Sequence, residues 1–256
     1  MQSFRFGAQL YTVRDRCQTP EDFKKTMKQV AEIGYKGVQV SGAGPIDPQF
    51  IRDCCDDNGL EIVCTHISFD EMLKDLDAVI KKHKIYGCSY PGIGSMPREY
   101  LEDGVAGVRR FIAKANDVAR RLEAEGMSFL YHNHAFEFQR IENWLVIQLL
   151  MEECIDAVQF ELDTYWVQCG GANPVKYLYG RSADVVHFKD MIGSPKNTSL
   201  ITTVGAGNLD WEEIIKACRA TRVRWAMVEQ DNAVEGDSIA CLANAFDFLV
   251  GMGCQP

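Results

Sequence analysis

Four apolar runs of this chain end in residues that can hold a divalent metal ion. They are Ser128–His134 (SFLYHNH), Val158–Asp163 (VQFELD), Val185–Lys189 (VVHFK) and Trp225–Asp231 (WAMVEQD). A strand buried on both faces reads as a near-continuous apolar run. Each of these stays apolar, then turns to His, Asp or Glu at its last positions. Parallel strands that aim their C-terminal ends at one site produce that pattern. Strand side chains alternate between faces. His132 therefore shares a face with His134, Glu161 with Asp163, His187 with Lys189, and Glu229 with Asp231. His66 ends a further run, and Asn133, Glu137 and Asp190 stand close by in sequence. Carboxylates crowded in a partly dry mouth repel one another and rise in pKa. A divalent cation removes that repulsion. Mixed imidazole and carboxylate ligands suit Zn, Mn, Fe or Co, whereas Mg prefers an all-oxygen set.

Other chemistries find less support. No nucleophile elbow is present. Neither GxGxxG after a strand nor GxxxxGK[ST] occurs, so a nucleotide site is not indicated. The segment Gly205-Ala206-Gly207-Asn208 could offer backbone N–H groups to a substrate, or could be a turn in which Asn208 or Asp210 caps the next helix. Trp166 and Trp211 could wall a sugar site or pack in the core. His83, set among lysines, reads as solvated surface. No arginine pair stands at a strand end, which favours an uncharged sugar or cyclitol as substrate.

The elements that must position these groups alternate from end to end. Strands are expected at Phe4–Tyr11, Gly37–Val40, Glu61–Ile67, Tyr86–Ile93, after Gly126, and at Ala157–Asp163, Asp184–Lys189 and Val223–Gln230. Helices are expected after Thr19-Pro20, after Asp47-Pro48, and from a capping box at Ser68 and Glu71 towards His83. Further ones follow over Asp103–Glu125 and Ile141–Glu153, after Asn173-Pro174, from near Leu209, and over Asp237–Val250. Alternation of this kind implies parallel βαβ units. Eight of them predict an α/β fold, a single-domain (β/α)8 TIM barrel over residues 1–256, in preference to a doubly wound sheet.

Composition sets outer bounds. A formal charge of -9 argues against a nucleic-acid partner. No run is apolar enough to span a membrane, and the first residues do not read as a signal peptide. The ten cysteines are irregularly spaced, without a CxxC pair, and are expected to be buried thiols in a reducing cytoplasm. Oligomeric state is not legible.

The segments YHNHAFEF, LDTYW, HFKD, VGAGNLDW and VEQD together resemble the xylose-isomerase-like barrel superfamily, which includes sugar phosphate isomerases and epimerases, inosose dehydratase and endonuclease IV. The resemblance covers essentially the whole chain. It implies one divalent metal held at the ends of strands five to eight, with Asp163, His187 and Glu229 as three ligands. The family's fifth-strand Glu falls on His132, and the His132/His134 doublet resembles relatives of inosose dehydratase. Epimerases of the family use two metal-bound carboxylates on opposite sides of the substrate carbon, so a His at one of them favours one-sided proton removal. Endonuclease IV is the poorer match: its extra His ligands fall on Tyr90 and Trp166 here. The expected function is a divalent-metal-dependent sugar isomerase or epimerase that abstracts a proton next to a metal-bound carbonyl of a sugar or sugar phosphate, with Glu229 or Glu161 as base, His134 as proton donor and Lys189 as oxyanion partner. His66, Asn133, Glu137, Trp166, Trp211 and Asp231 would contact the sugar. Alternatives are a metal-dependent lyase, dehydratase or keto-glycoside-cleaving enzyme, and a metal-free carbohydrate-binding barrel.

Overall fold

The computed structural model describes residues 3–181, 183–232 and 236–256. Its main sheet contains β1 (Arg5–Gln9), β2 (Gly37–Val40), β3 (Glu61–Ile67), β4 (Pro91–Ile93), β5 (Phe129–His132), β6 (Val158–Glu161), β7 (Val185–Phe188) and β8 (Trp225–Val228). Neighbours run β6-β5-β4-β3-β2-β1-β8-β7, and every pairing is parallel. The two ends of this series meet at a parallel bridge between Asp163 and His187, where the His187 N–H donates to the Leu162 carbonyl at 2.9 Å. The sheet is thereby almost closed, with helices in its connections. This is the expected TIM barrel and not an open doubly wound sheet.

Helix starts follow the local chemistry. The side chains of Thr19, Asp47, Asn173 and Asp237 cap the helices Pro20–Ile33, Pro48–Asp57, Pro174–Leu178 and Ser238–Gly251. Each such cap is worth about 1 kcal/mol. The capping box at Ser68 is only half made. Ser68 accepts from the Glu71 N–H, but the Glu71 carboxylate pairs with Lys82 at 2.9 Å. The helix expected from there to His83 is two, Phe69–Lys74 and Leu76–Tyr86, broken at Asp75, whose carboxylate caps the second.

Other boundaries also move. The first strand ends at Gln9 and the chain turns into a 3-10 helix, Leu10–Arg16. Tyr86 belongs to a helix, and β4 keeps only Pro91–Ile93. Of the helix expected over Ile141–Glu153, only Val146–Glu153 is helical, because Arg140–Ile141 and Trp144–Leu145 form a small antiparallel pair. A second such pair, Asp190–Gly193 with Ser199–Thr202, projects beyond β7.

His83 is a correction. It is fully buried, with Nε2 2.7 Å from the Thr65 hydroxyl and Nδ1 2.8 Å from the Val79 carbonyl. Burial pushes its imidazole down to about 4. A helix that carries lysines at neighbouring positions still turns one face inward, and His83 falls on it. All ten cysteines are free and nine are buried. Among the described residues, no helix is long and apolar enough to cross a membrane.

Candidate metal centre

The ends of β5 to β8 bring His132, Asp163, His187 and Glu229 together. One ligand atom from each lies within 4.8 Å of all the others, and all four residues are buried. His132 Nε2 is 3.3 Å from Asp163 Oδ2, and His187 Nδ1 is 3.0 Å from Glu229 Oε2 and 3.8 Å from Asp163 Oδ2. Each imidazole is oriented through its other nitrogen. His132 Nδ1 donates to the Gly94 carbonyl at 2.8 Å. His187 Nε2 donates to Gln39 Oε1 at 2.7 Å, and Gln39 is itself oriented by its Nε2 donating to Glu161 at 3.1 Å. A carbonyl oxygen can only accept. When neutral, the rings therefore turn lone pairs, at His132 Nε2 and His187 Nδ1, towards the two carboxylates. Metal-binding histidines are fixed in this way. Two lone pairs and two carboxylates facing one another in a buried space repel unless a cation sits among them. The donor set therefore fits a divalent ion of the zinc, manganese, iron or cobalt type.

The electrostatics agree, because a proton can stand in for that cation. Burial alone would lower the His187 imidazole, but the Glu161 and Glu229 carboxylates outweigh it and hold it up at about 10. Burial would raise Glu229, yet Lys189 and His187 hold it well below the usual carboxylate range. Asp163 is raised, chiefly by burial. Lys189 is 1 % exposed; burial disfavours its charge, but Glu229, Asp163 and Asp231 keep it firmly protonated. Its Nζ lies 3.0 Å from Glu229, 3.6 Å from Asp163 and 2.8 Å from Asp231.

Beneath this group lies a second, His66, Glu161 and His187. It closes on itself. Glu161 is 0 % exposed and accepts from His66 at 2.6 Å, Gln39 at 3.1 Å and Cys64 at 3.7 Å, with His187 Nε2 3.2 Å away. Burial alone would raise Glu161, but the His187 and His66 imidazoles hold it low.

A cavity of about 430 Å³ opens above the centre, and His66, His132, His134, Lys189, Glu229 and Asp231 all line it. His134 does not join the ligand group. Its ring packs on Trp166 with centroids 4.9 Å apart, and burial lowers its imidazole to about 3. The Lys189 ammonium sits 5.1 Å from the centre of the Trp166 ring, so Trp166 flanks the site.

Other expected sugar contacts lie elsewhere. Asn133 accepts from the Asp163 N–H at 3.1 Å and is buried behind the ligands. Glu137 is fully buried, accepting from the Tyr131 hydroxyl at 2.7 Å and the His134 N–H at 2.8 Å. Burial pushes its carboxyl up to about 8. Trp211 packs in the core against Phe188, and its Nε1 donates to Asp190 at 2.7 Å. The same Asp190 carboxylate accepts the N–H groups of Gly205, Gly207 and Leu209. The GAGN segment is therefore a tied turn whose amides are already used, and Asp210 caps the helix after it.

Gln39, Gly94, Tyr11, Arg14 and Ser41 also build the site, and no sequence motif singles them out. Gln39 left a signal, a lone amide in the middle of the buried strand GVQV. Tyr11 and Arg14 lie in the 3-10 helix after β1, Ser41 follows β2, and Gly94 acts through its backbone carbonyl.

Structural comparison gives the same frame. A sugar phosphate isomerase/epimerase from Parabacteroides distasonis superposes with a TM-score of 0.80 at 21% identity, over 97% of this chain and 98% of that one. The probable 3-DHS dehydratase AsbF from Bacillus anthracis gives 0.70 at 14% identity, over 96% and 98%. An L-ribulose 3-epimerase gives 0.69 at 16% identity, over 98% and 94%. At these identities the likeness is one of fold. No curated protein matches the chain in sequence. The family model described as xylose isomerase-like TIM barrel matches residues 27–245, and the chain belongs to that family.

Proposed function

We propose that this protein is a divalent-metal-dependent enzyme that isomerises or epimerises a sugar or sugar phosphate by removing a proton next to a carbonyl. The observation that carries this reading is the convergence of four buried ligand atoms, from four consecutive strand ends, within 4.8 Å. His132, Asp163, His187 and Glu229 would hold the ion. When bound, it supplies Lewis-acid polarisation of a substrate carbonyl, which makes the adjacent C–H acidic.

The chain's own groups do the rest. Of the two carboxylates weighed as base, Glu161 is enclosed and committed to its neighbours, whereas Glu229 lines the cavity. Glu229 is therefore the base of this reading. Lys189 keeps a fixed positive charge beside the place where negative charge develops. His134 stands at the cavity wall as the proton-relaying group. His66 and Asp231 meet substrate hydroxyls, and Trp166 supplies an apolar flank.

The test has two parts. Protein purified without chelators is analysed for metal, and its turnover of ketoses and ketose phosphates is followed in deuterated water. An isomerase or epimerase returns product labelled at the carbon next to the carbonyl. An active, metal-free Asp163→Asn protein would overturn the reading. A second reading, a lyase or dehydratase, draws support from His132 standing where the resemblance implies a carboxylate. Loss of water or of an aglycone in place of a labelled isomer would favour it. Wild-type protein that binds sugar without metal and turns nothing over would instead be a binding barrel.

A further inference from the structure

The turn after β1 brings an arginine to the cavity. Arg14 lines it together with Tyr11, Ser41 and Asn232, and touches the Asp231 backbone while Lys189 pairs with the Asp231 carboxylate. The guanidinium is braced and not loose. Its Nη1 donates to the Tyr11 carbonyl at 2.8 Å and to the Asp231 carbonyl at 2.7 Å. It also stacks on the Tyr11 ring, 4.2 Å from the centroid. Both hydrogen-bond partners are neutral, and among the described residues no carboxylate pairs with it. By contrast, Arg5, Arg16, Arg52, Arg109 and Arg121 each pair with a carboxylate.

Charge around the cavity leads to a ligand class. On the metal reading above, on which this inference rests, Asp163 and Glu229 balance a divalent ion. Asp231 balances Lys189 at 2.8 Å. Among the described residues lining the cavity, Arg14 is then the cation with which no carboxylate pairs. A guanidinium presents planar, paired donors that match oxyanions, and bracing of one nitrogen lowers the entropy lost when the rest engage. Tyr11, Ser41 and Asn232, which also line the cavity, bring neutral hydrogen-bonding side chains.

We propose that Arg14 is the anion-recognising residue of the substrate pocket, and that the substrate carries a phosphate monoester or a carboxylate. This replaces the uncharged sugar expected from the absence of arginines at strand ends: the cation comes from the turn after a strand, brought in by backbone contacts that sequence does not display.

The experiment is binding to the chelated, metal-free protein, so that no anion can ligate a metal. Titration calorimetry compares matched pairs: fructose with fructose 6-phosphate, and glucose with gluconate. Wild-type protein is expected to favour at least one anionic member about 10-fold, worth about 1.4 kcal/mol. Which pair shows the preference separates phosphate from carboxylate. Arg14→Gln should erase the preference, read as the ratio of the two affinities within that variant, while Arg14→Lys should retain part of it. Absence of any preference in the wild type overturns the proposal, as does its full survival in Arg14→Gln. Should Arg14→Gln perturb the turn, the decay of the wild-type preference with added sodium chloride gives an independent reading, and a salt-insensitive preference would equally overturn it. Metal content of the untreated protein, measured in parallel, reports separately on the metal reading.

Discussion

Replacing Glu161 by Gln tests whether the buried layer below the centre sets the state of His187. The glutamate fixes Gln39, because only a Gln39 with Nε2 towards Glu161 at 3.1 Å leaves its Oε1 to accept from His187 Nε2 at 2.7 Å. A neutral amide at 161 can donate as well as accept, so Gln39 is free to turn over. In that orientation Gln39 offers an N–H to His187 Nε2. The ring then moves its own proton to Nδ1, the nitrogen 3.0 Å from Glu229 that would otherwise ligate the metal. Loss of an outer partner of this kind typically costs about 10–100-fold in metal affinity. That is about 1.4–2.7 kcal/mol. Cobalt(II) titration followed by visible absorption measures the affinity, and thermal unfolding confirms that the variant is folded. Gln39→Leu should weaken binding similarly. The double variant should lose less than the sum, since both act through one proton position. A folded Glu161→Gln protein with wild-type cobalt affinity would refute the reasoning.

Three further outcomes are expected. Asp163→Ala loses the metal but also the cap of the helix Thr164–Cys169, since Asp163 Oδ1 accepts from the Trp166 N–H at 2.9 Å. Asp163→Asn should keep that cap, worth about 1 kcal/mol, so comparing their unfolding separates ligand loss from helix loss; equal stability of the two would count against the capping account. His83 is held down to about 4 in the fold against about 6.5 in the unfolded chain, so acid protonates the unfolded state first. Stability from this group is whole above pH 6.5 and falls as pH drops towards 4, by about 2 kcal/mol between pH 7 and pH 5. In urea melts, His83→Gln should flatten that acid limb, and an unchanged slope would show that other groups cause it. Asp190→Ala strands the backbone N–H groups of Met191, Gly205, Gly207 and Leu209 and the Trp211 indole, and should destabilise by about 3 kcal/mol or more; a thermal midpoint within a degree of wild type would contradict the tied-turn description.

What the sequence displayed and what it hid follow one physical division. Strand interiors and their polar ends are local patterns, so β5 to β8 and a set of strand-end donors that includes the four candidate ligands were legible from apolar runs that stop in His, Asp or Glu, while the choice among those donors came from the family resemblance. Helix caps were legible for the same reason, as at Thr19 and Asp47. Partnerships between distant strands leave no such trace. Glu161 and Glu229 look alike on their strands, each an acid after an apolar run, yet one is locked under His66 and Gln39 and the other lines the cavity. Glu137 and Trp211 stand beside site motifs in sequence, but the chain turns each one inward, onto Tyr131 and Asp190. Arg14 shows the converse, a surface-like residue in sequence that two carbonyl contacts bring to the site.

The closing seam of the barrel gives this division a functional sense. β6 and β7 pair less extensively than other neighbours, and their meeting point is the Asp163–His187 bridge. Both residues of that bridge are candidate ligands. Elsewhere around the barrel, adjacent strands are held by runs of backbone hydrogen bonds, as between β5 and β6 or β8 and β7. At the seam, a side chain supplements the backbone. The Thr164 hydroxyl donates to the Lys189 carbonyl at 2.8 Å and accepts from the Lys189 N–H at 3.0 Å. A cation gripped by Asp163 and His187 would pull on both sides of the same junction. Closure of the fold and assembly of the ligand set are therefore one event, because the backbone contact that shuts the barrel is also what brings an acid from one strand within reach of an imidazole from the next.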